Sequence, residues 1–236
     1  MAEAALLEVQ GLASGYGVLQ ILWDISLEVR PDESVLLLGA NGAGKTTLLR
    51  TIVGLIRAWE GTIRFRGQDI THLTPDARIR RGIAFMSELG VFPGLSIKEN
   101  LRMGGYFLNN AEVRRRAEPL YALFPDLAKR KREPAASLSG GQRKMLGLAK
   151  ALMAEPALLI MDEPSAGLAP VFVKEMVKTL GGMHGKGMAL LIAEQNVSFL
   201  PLAERGYLLE GGRVRFSGDT KSLRESGAVR AAYLGV

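Results

Sequence analysis

The run GANGAGKTT at 39–47 places three glycines, one lysine and two threonines in the spacing G-x-x-x-x-G-K-[ST], which is typical of a phosphate-binding loop. Such glycines let backbone N–H groups turn inward on a polyphosphate, and the following helix directs its positive dipole end at the same point. Lys45 is expected to reach the β- and γ-phosphates, and Thr46 to bind Mg²⁺. The candidate phosphate-binding residues are Gly39, Ala40, Asn41, Gly42, Ala43, Gly44, Lys45, Thr46 and Thr47.

The segments on either side of this loop decide between a nucleotide site and an ordinary glycine-rich turn. The apolar run SVLLL at 34–38 suits a buried strand, and TTLLRTIVGL at 46–55 suits a helix. This is the strand, loop and helix context that the motif requires, so we predict a nucleoside triphosphate site.

Two other apolar runs end in polar side chains that suit the same chemistry. ALLIMDEP at 157–164 ends in Asp162 and Glu163, which is the form of the Mg²⁺-holding strand in phosphate-loop NTPases. Asp162 is expected to hold the metal, and Glu163, pointing the other way out of the strand, to deprotonate the attacking water. The alternative is a structural acid pair at a strand end. The run MALLIAEQ at 188–195 ends in Glu194 and Gln195, and the ends of parallel strands are where such sheets bind ligands.

Three further stretches supply candidate site residues. Glu88 follows the buried run GIAFM at 82–86 and is either a Mg²⁺ ligand through water or a loop carboxylate. Tyr16 stands in SGYG at 14–17, where its ring either stacks on an adenine or is simply exposed. LSGGQ at 138–142 offers a hydroxyl and N–H groups at a helix start, either as a second anion site or as an ordinary N-cap. The residues of that motif assigned to the site are Ser139, Gly140, Gly141 and Gln142.

The hydrophobic pattern predicts strands in the first part of the chain and helices in its middle. Alternation at 6–12 and 25–30 predicts two antiparallel strands joined by a turn at 14–17, and 61–67 predicts another strand. Helical periodicity dominates from about 96 to 153, with its clearest segments at 111–124 and 140–153, and Ser96 with Glu99 forms a capping-box pattern. A helix is predicted near 170–184. The tail predicts a hairpin at 205–219 that turns at Gly211 and Gly212, followed by a short helix rich in Arg and Ala.

These elements predict an α/β fold with a phosphate-loop NTPase core, a mostly parallel sheet with flanking helices. An N-terminal antiparallel β subdomain and an inserted helical subdomain complete it. We predict a single domain over 1–236, with the core and β subdomain at about 1–90 and 155–236 and the helical insertion at about 91–154.

Composition excludes several classes of protein. The 236 residues are 47% hydrophobic, enough for one full core, and the absence of Cys removes disulfides and thiolate metal sites. The N-terminus lacks a basic n-region followed by a long apolar run, so we expect a soluble, cytosolic protein. Seven basic residues face two acidic ones at 114–132, either as a solvated helical face or as a docking surface for membrane or nucleic acid.

The order GANGAGKTT, LSGGQ, ALLIMDEP resembles the ATP-binding subunits of ABC transporters over the whole chain. LSGGQ after a helical insertion is the element that separates this family from other phosphate-loop proteins. More narrowly, SELGVFPGLSIKENL, DEPSAGLAP, AEQN and RGYLLEGGRV are similar to the LivF-type ATPase of branched-chain amino-acid importers.

The resemblance implies a role for each candidate residue. It assigns Tyr16 to adenine stacking, 39–47 to the phosphates of ATP, Thr46 and Asp162 to Mg²⁺, and Glu163 to the general base. It implies that 139–142 contact the γ-phosphate of ATP held by a second ABC ATPase subunit, identical or related, so that a competent site needs two chains facing head to tail. The loop 165–168 would line the same interface.

Three positions depart from the general family pattern. Glu88 replaces the usual Gln that senses Mg²⁺ and couples to the membrane subunit, and Ser87 precedes it where the subtype has Pro. Gln195 replaces the usual switch His, although the LivF-like subtype tolerates Gln, and Ala166 makes the interface contact smaller.

The resemblance implies an ATPase, with ATP and Mg²⁺ as cofactors, on the cytoplasmic face of the cell membrane. It would power uptake of branched-chain or related amino acids through a separate integral membrane permease, with no nucleic acid as a partner. The alternatives are a non-transport ABC ATPase acting on ribosomes or DNA, and a small-molecule kinase, which LSGGQ argues against.

Overall fold

The structure, a computed structural model, describes residues 4–88, 90–183, 187–195 and 197–225. The strands are β1 Leu7–Tyr16, β2 Leu19–Val29, β3 Ser34–Leu38, β4 Ala58–Phe65, β5 Gln68–Asp69, β6 Ile83–Met86, β7 Leu158–Asp162, β8 Ala189–Glu194, β9 Arg205–Glu210 and β10 Arg213–Asp219. The helices are α1 Lys45–Ile52, α2 Pro75–Arg80, α3 Ile97–Gly104, α4 Asn110–Leu123, α5 Pro125–Lys129, α6 Gly140–Leu152, α7 Pro170–Gly181 and α8 Thr220–Glu225, with a 3₁₀ turn at Ala135–Ser137. None of the helices within these ranges is long and apolar enough to span a bilayer.

The strands form two sheets. The first has the order β2-β1-β4-β5 and pairs its strands antiparallel throughout. The second has the order β10-β9-β3-β8-β7-β6, in which β9, β3, β8, β7 and β6 run parallel and β10 pairs antiparallel with β9. The helices α3 to α6 lie in one stretch between β6 and β7. The predicted α/β class, with an antiparallel β part and a helical insertion, is therefore confirmed.

Alternating side chains of the central parallel strands divide the core into two layers. In β3, Leu36 and Leu38 pack with residues of α3, α4, α6 and α7, whereas Val35 and Leu37 pack with α1 and the antiparallel sheet. Strands β7 and β8 alternate in the same way, and every residue of β3, β7 and β8 is buried. Burial on both faces explains why these strands appear in the sequence as continuous apolar runs.

Several predicted boundaries are wrong in ways that the structure explains. Residues 14–16 continue β1, and the turn lies at 17–18, because Gly15 allows the two strands to approach so closely that a Cβ there would stand 2.0 Å from the Leu19 carbonyl oxygen. Helix α1 ends at Ile52, followed by Gly54 at φ +84°. Strand β4 begins at Ala58, three residues before the predicted start.

Other predicted elements agree with the structure or extend beyond it. The Ser96 and Glu99 capping box is present, and the β9–β10 hairpin turns at Gly211 and Gly212, both with positive φ. The predicted helix at 170–184 is α7, which ends at Gly181, and its last predicted residue lies outside the described residues. The predicted short helix at the end of the chain begins as α8, and the Arg- and Ala-rich stretch predicted to belong to it lies outside the described residues.

A buried arginine joins α1, α2 and the β5–α2 connection, none of which the sequence pattern linked. The Arg78 guanidinium donates to the carbonyl oxygens of Thr51 (2.9 Å) and Ile52 (2.6 Å) at the end of α1, and to those of Thr71 (2.8 Å) and Leu73 (3.0 Å). Burial lowers its pKa to about 10, so it remains charged at neutral pH. Arg78 therefore satisfies carbonyl groups that would otherwise be buried without donors.

We expect Arg78→Met to lower the free energy of unfolding by about 3 kcal/mol, because it removes charged donors from several buried carbonyl groups. The measurement is urea denaturation followed by circular dichroism. Arg81→Met is the matched control, since Arg81 is exposed and donates to a carbonyl of α2, so its effect should stay within about 0.5 kcal/mol. Equal urea midpoints for the two variants would contradict the stabilising role assigned to Arg78.

Candidate functional site

The loop between β3 and α1 has the geometry of an anion cradle. Gly44 caps α1 with φ +105°, and a Cβ on it would stand 3.0 Å from Leu22 Cδ2. A Cβ on Gly39 would stand 2.7 Å from the Leu209 carbonyl oxygen. Among the described residues no side chain caps this helix N-terminus, and no acidic residue lies in its first turn. The first-turn N–H groups of α1 therefore face the loop interior without an intrahelical acceptor.

Lys45 is held inside this loop by three oxygen atoms. Its Nζ donates to the carbonyl oxygens of Gly39 (2.9 Å) and Ala40 (3.2 Å) and lies 3.0 Å from Glu163 Oε1. Its side chain is 3% exposed, so the ammonium group is nearly desolvated and depends on these partners. The residue predicted to bind phosphate, Lys45, here neutralises the residue predicted to act as the base, Glu163.

Thr46 and Asp162 meet although they lie far apart in the chain. Thr46 Oγ1 donates to Asp162 Oδ1 at 3.0 Å, which joins the first turn of α1 to the end of β7. Burial raises the pKa of the Asp162 carboxyl, and the Thr46 hydrogen bond acts in the opposite direction. A hydroxyl and a buried carboxylate in contact are the oxygen ligands that Mg²⁺ accepts, with water and phosphate completing its shell.

Glu163 lies just past the end of β7 in a left-handed conformation, with φ +45°. It was predicted to point the other way out of the strand, but it is not part of the strand, and the backbone turn rather than strand alternation sets its direction. Its N–H donates to the Ala193 carbonyl oxygen at 2.9 Å, and its own carbonyl accepts hydrogen bonds from Ala166 N–H and Lys144 Nζ. A non-glycine residue at positive φ carries backbone strain of about 1 kcal/mol or more, so these bonds hold it in place.

One cavity of about 360 Å³ gathers half of the predicted site residues. It is lined by Ile21, Asn41, Gly42, Gly44, Lys45, Thr46, Thr47, Glu88, Asp162 and Glu163. The phosphate loop, the acid pair and Glu88 therefore share one space. Among the described residues no three His, Cys, Asp or Glu side chains form a group that could hold a metal ion.

Gln195 and Tyr16 are not among the residues that line this cavity. Gln195 follows β8, whose Glu194 pairs in register with Leu38 at the end of β3, so Gln195 is exposed at the same edge of the sheet as the loop. Tyr16 ends β1 and is 46% exposed. An exposed ring at this place is available for stacking on a base.

The residues 139–142 do not reach the cavity of their own chain. Ser139 caps α6: its Oγ accepts the Gln142 N–H at 3.2 Å, and Gln142 Oε1 accepts the Ser139 N–H at 3.1 Å. The ordinary N-cap that the sequence left open as an alternative is therefore present. The cap leaves the second alternative open, because it forms the same helix N-terminus that an anion held by another chain would meet.

The sequence interpretation gave no site role to two charged residues beside the acid pair. Lys144 of α6 donates its Nζ to the Glu163 carbonyl oxygen at 3.2 Å and lies among the carboxylates of Glu88, Asp162, Glu163 and Glu194. Burial lowers the pKa of Lys144. The sequence feature that could have identified Lys144 is its position on the same helical face as Leu148 and Ala151, which are buried.

The second is Glu194, the last residue of β8, which the sequence interpretation placed at a strand end without assigning it a role. It is 1% exposed, and burial raises the pKa of its carboxyl, which accepts two hydrogen bonds from Ser165. The sequence feature that could have identified it is an acidic residue that directly continues an apolar strand. Such a carboxylate is expected to be buried and therefore to need its own hydrogen-bond donors.

Residues 22–166 match the family model described as ABC transporter. That match covers more than half of the chain, which belongs to this family of ATP-hydrolysing cassettes. A crystal structure of an ABC transporter ATP-binding cassette in its ADP conformation superposes with a TM-score of 0.87 at 25% identity, covering 99% of this chain and 100% of the other. The fold and the ATPase class are therefore established together.

Relatives that cover nearly all of the chain work in different transport systems. This chain is 38% identical over 98% of its length to the high-affinity branched-chain amino acid transport ATP-binding protein BraG of Pseudomonas aeruginosa, and the match covers 100% of that protein. It is 33% identical to the probable branched-chain amino acid transport ATP-binding protein LivF of Archaeoglobus fulgidus, covering 98% of this chain and 99% of the relative. It is 32% identical to the lipopolysaccharide export ATP-binding protein LptB of Haemophilus influenzae, covering 98% of each. The resemblance to LivF-type ATPases is confirmed.

We expect Lys144→Met to lower the kcat of ATP hydrolysis by about 10-fold, because Glu163 loses a donor to its carbonyl and the carboxylates lose a neighbouring cation. Lys150→Met is the matched control: Lys150 lies on the same helix, burial also lowers its pKa, and its ammonium lies over the Phe92 ring. Steady-state ATPase assays compare the two variants. Equal rates would show that Lys144 does not support the backbone turn at Glu163 in a way that hydrolysis needs.

Proposed function

We propose that this ABC ATPase powers the uptake of branched-chain or related amino acids through a separate membrane permease, working as one of two cassettes. The observation that carries the proposal is the cavity in which Lys45, the Thr46–Asp162 pair and Glu163 converge. The similarity to BraG and LivF supports the choice of solute, since both relatives are named for branched-chain amino acid transport.

The contacts of Lys45 suggest how nucleotide binding prepares the site. Lys45 leaves the Glu163 carboxylate when a triphosphate offers it the β- and γ-phosphates, because a multiply charged anion outcompetes one carboxylate and two carbonyl groups. Glu163 is then free to take a proton from the attacking water. Mg²⁺, held by Thr46 and Asp162 and reached by Glu88 through water, would neutralise charge on the phosphates.

The second cassette is needed because 139–142 lie away from the cavity of their own chain. The N-terminus of α6 offers a hydroxyl and glycine N–H groups, which suit the γ-phosphate held by a facing chain. The partner is either identical or a related cassette. Gln195 would donate its amide to the same γ-phosphate, and Tyr16 would stack on the adenine.

The basic segment at 114–132 supports the transport proposal over binding of nucleic acid. Arg116 lies 3.3 Å from Glu155, Arg130 lies 2.6 Å from Glu133, and Lys131 covers the Tyr121 ring. Several of its cations thus have partners within this chain, as expected of a solvated face.

A second candidate function is the ATPase role in an export system, which the similarity to LptB favours. Uptake of labelled leucine by a strain lacking this gene tests both proposals. We expect uptake to fall and to be restored by the wild-type gene but not by Glu163→Gln. Unchanged uptake together with a defective outer membrane would favour export instead.

We expect Glu163→Gln to keep ATP binding but lower kcat by about 100-fold or more, because the amide preserves the shape and cannot accept the proton. A stalled complex should accumulate as a dimer, which size-exclusion chromatography with ATP and Mg²⁺ detects. Dimers that form only with a related cassette would identify a heterodimer. Monomers under both conditions would refute the paired arrangement.

Two variants serve as controls for this experiment. Lys45→Ala should lose both hydrolysis and the ATP-dependent dimer, since it removes the charge directed at the phosphates. Glu60→Gln changes an exposed glutamate of β4 and should behave as the wild type. Near wild-type hydrolysis by Lys45→Ala would contradict the assignment of the site.

A further inference from the structure

The carboxylate of Glu194 makes three hydrogen bonds at the edge of the site. Oε1 accepts the Ser165 N–H at 2.8 Å, Oε2 accepts the Ser165 hydroxyl at 2.9 Å, and Oε2 also accepts the N–H of Gln195 at 3.3 Å. Glu194 is 1% exposed and Ser165 is 8% exposed. The carboxylate therefore forms a buried clamp between the end of β8 and the start of the loop 165–168.

The clamp joins residues that belong to different parts of the proposed mechanism. Glu163, the proposed base, stands two residues before Ser165, and its N–H donates to the carbonyl oxygen of Ala193, the residue before Glu194. Gln195 directly follows Glu194. The end of β8 thus holds the loop at two points, one through the backbone and one through the Glu194 side chain.

The loop itself is a compact unit that can transmit a displacement. Ala166 N–H donates to the Glu163 carbonyl oxygen at 3.1 Å, Leu168 N–H donates to that of Ser165 at 3.0 Å, and Gly167 has φ +71°. In the paired arrangement this loop lies at the contact with the second cassette. A shift imposed there reaches Glu194 through the two bonds that Ser165 makes with it.

We propose that Glu194 is a positioning residue which transmits the placement of the loop 165–168, set by the second cassette, to Gln195 at the γ-phosphate. The inference rests on the proposed function, because it assumes that hydrolysis occurs between paired cassettes. The opposing interpretation is a buried carboxylate that serves folding alone. The two interpretations differ in whether the effect of Glu194 depends on Gln195.

The test is a double-mutant cycle on steady-state ATP hydrolysis. Glu194→Ala removes the clamp and should lower kcat about 10-fold while leaving the KM for ATP nearly unchanged. Gln195→Ala should also lower kcat, since it removes the proposed donor to the phosphate. We expect the double variant Glu194→Ala with Gln195→Ala to be no slower than Gln195→Ala, because the clamp then has no side chain left to position. Multiplicative losses would overturn the proposal.

Conservative variants separate positioning from folding. Glu194→Gln keeps one acceptor for the Ser165 N–H and one donor for its hydroxyl, so it should recover most of the activity lost in Glu194→Ala. Ser165→Ala removes the hydroxyl half of the clamp and keeps the backbone bond, so it completes the cycle with Gln195→Ala if Glu194→Ala does not fold. Glu210→Ala is the matched control, since Glu210 ends β9 with an exposed carboxylate and should leave kcat unchanged.

The proposed function and this inference fail in distinguishable ways. A Glu163→Gln chain that never dimerises rejects the paired arrangement, whatever the cycle shows. Dimerisation of Glu163→Gln combined with independent effects of Glu194 and Gln195 keeps the paired ATPase and rejects the clamp.

Discussion

The parallel pairing of β3, β7 and β8 is the constraint on which the site depends. Leu38 pairs with Glu194 and Asp162 pairs with Ala193, so the phosphate loop, the acid pair and Gln195 all leave the sheet at one edge. A shift of one residue in either pairing would turn Asp162 away from Thr46 and exchange the two faces of a strand. Because these strands are buried on both faces by apolar side chains, such a shift would also expose core residues to the wrong layer.

The concentration of carboxylates at this edge requires cations. Asp162, Glu163 and Glu194 lie together, and burial raises the pKa of both Asp162 and Glu194. Lys45 of the phosphate loop and Lys144 of the helical insertion offset this negative charge. The helical insertion therefore contributes to the electrostatics at this edge of the sheet as well as carrying the motif at 139–142. Lys45 and Lys144, about 100 residues apart in the sequence, therefore act on the same group of carboxylates.

Each chain carries two separate features that the proposed pair of cassettes would bring together: the cavity and the N-terminus of α6. The cavity is lined by residues proposed to bind the phosphates and the metal, whereas the capped N-terminus of α6 is not part of its lining. This separation follows from the insertion of α3 to α6 between β6 and β7, which places that helix end on its own lobe. Two facing chains would place the N-terminus of α6 of one chain against the cavity of the other. A displacement of the loop 165–168 at that contact would then reach the site through the hydrogen bonds between Ser165 and Glu194.

The sequence by itself determined the local features whose signals are local. The glycine and lysine spacing at 39–47, the apolar strands ending in acids, and the cap at Ser139 are all visible in short stretches, because their physical causes act within a few residues. Only the tertiary structure decided the left-handed conformation of Glu163, the Lys45–Glu163 ion pair, the reach of Lys144 into the acid cluster and the clamp on Ser165. Each of these depends on strand order and on helix packing between distant segments, and periodicity within one segment carries no information about which neighbour its buried charges will meet.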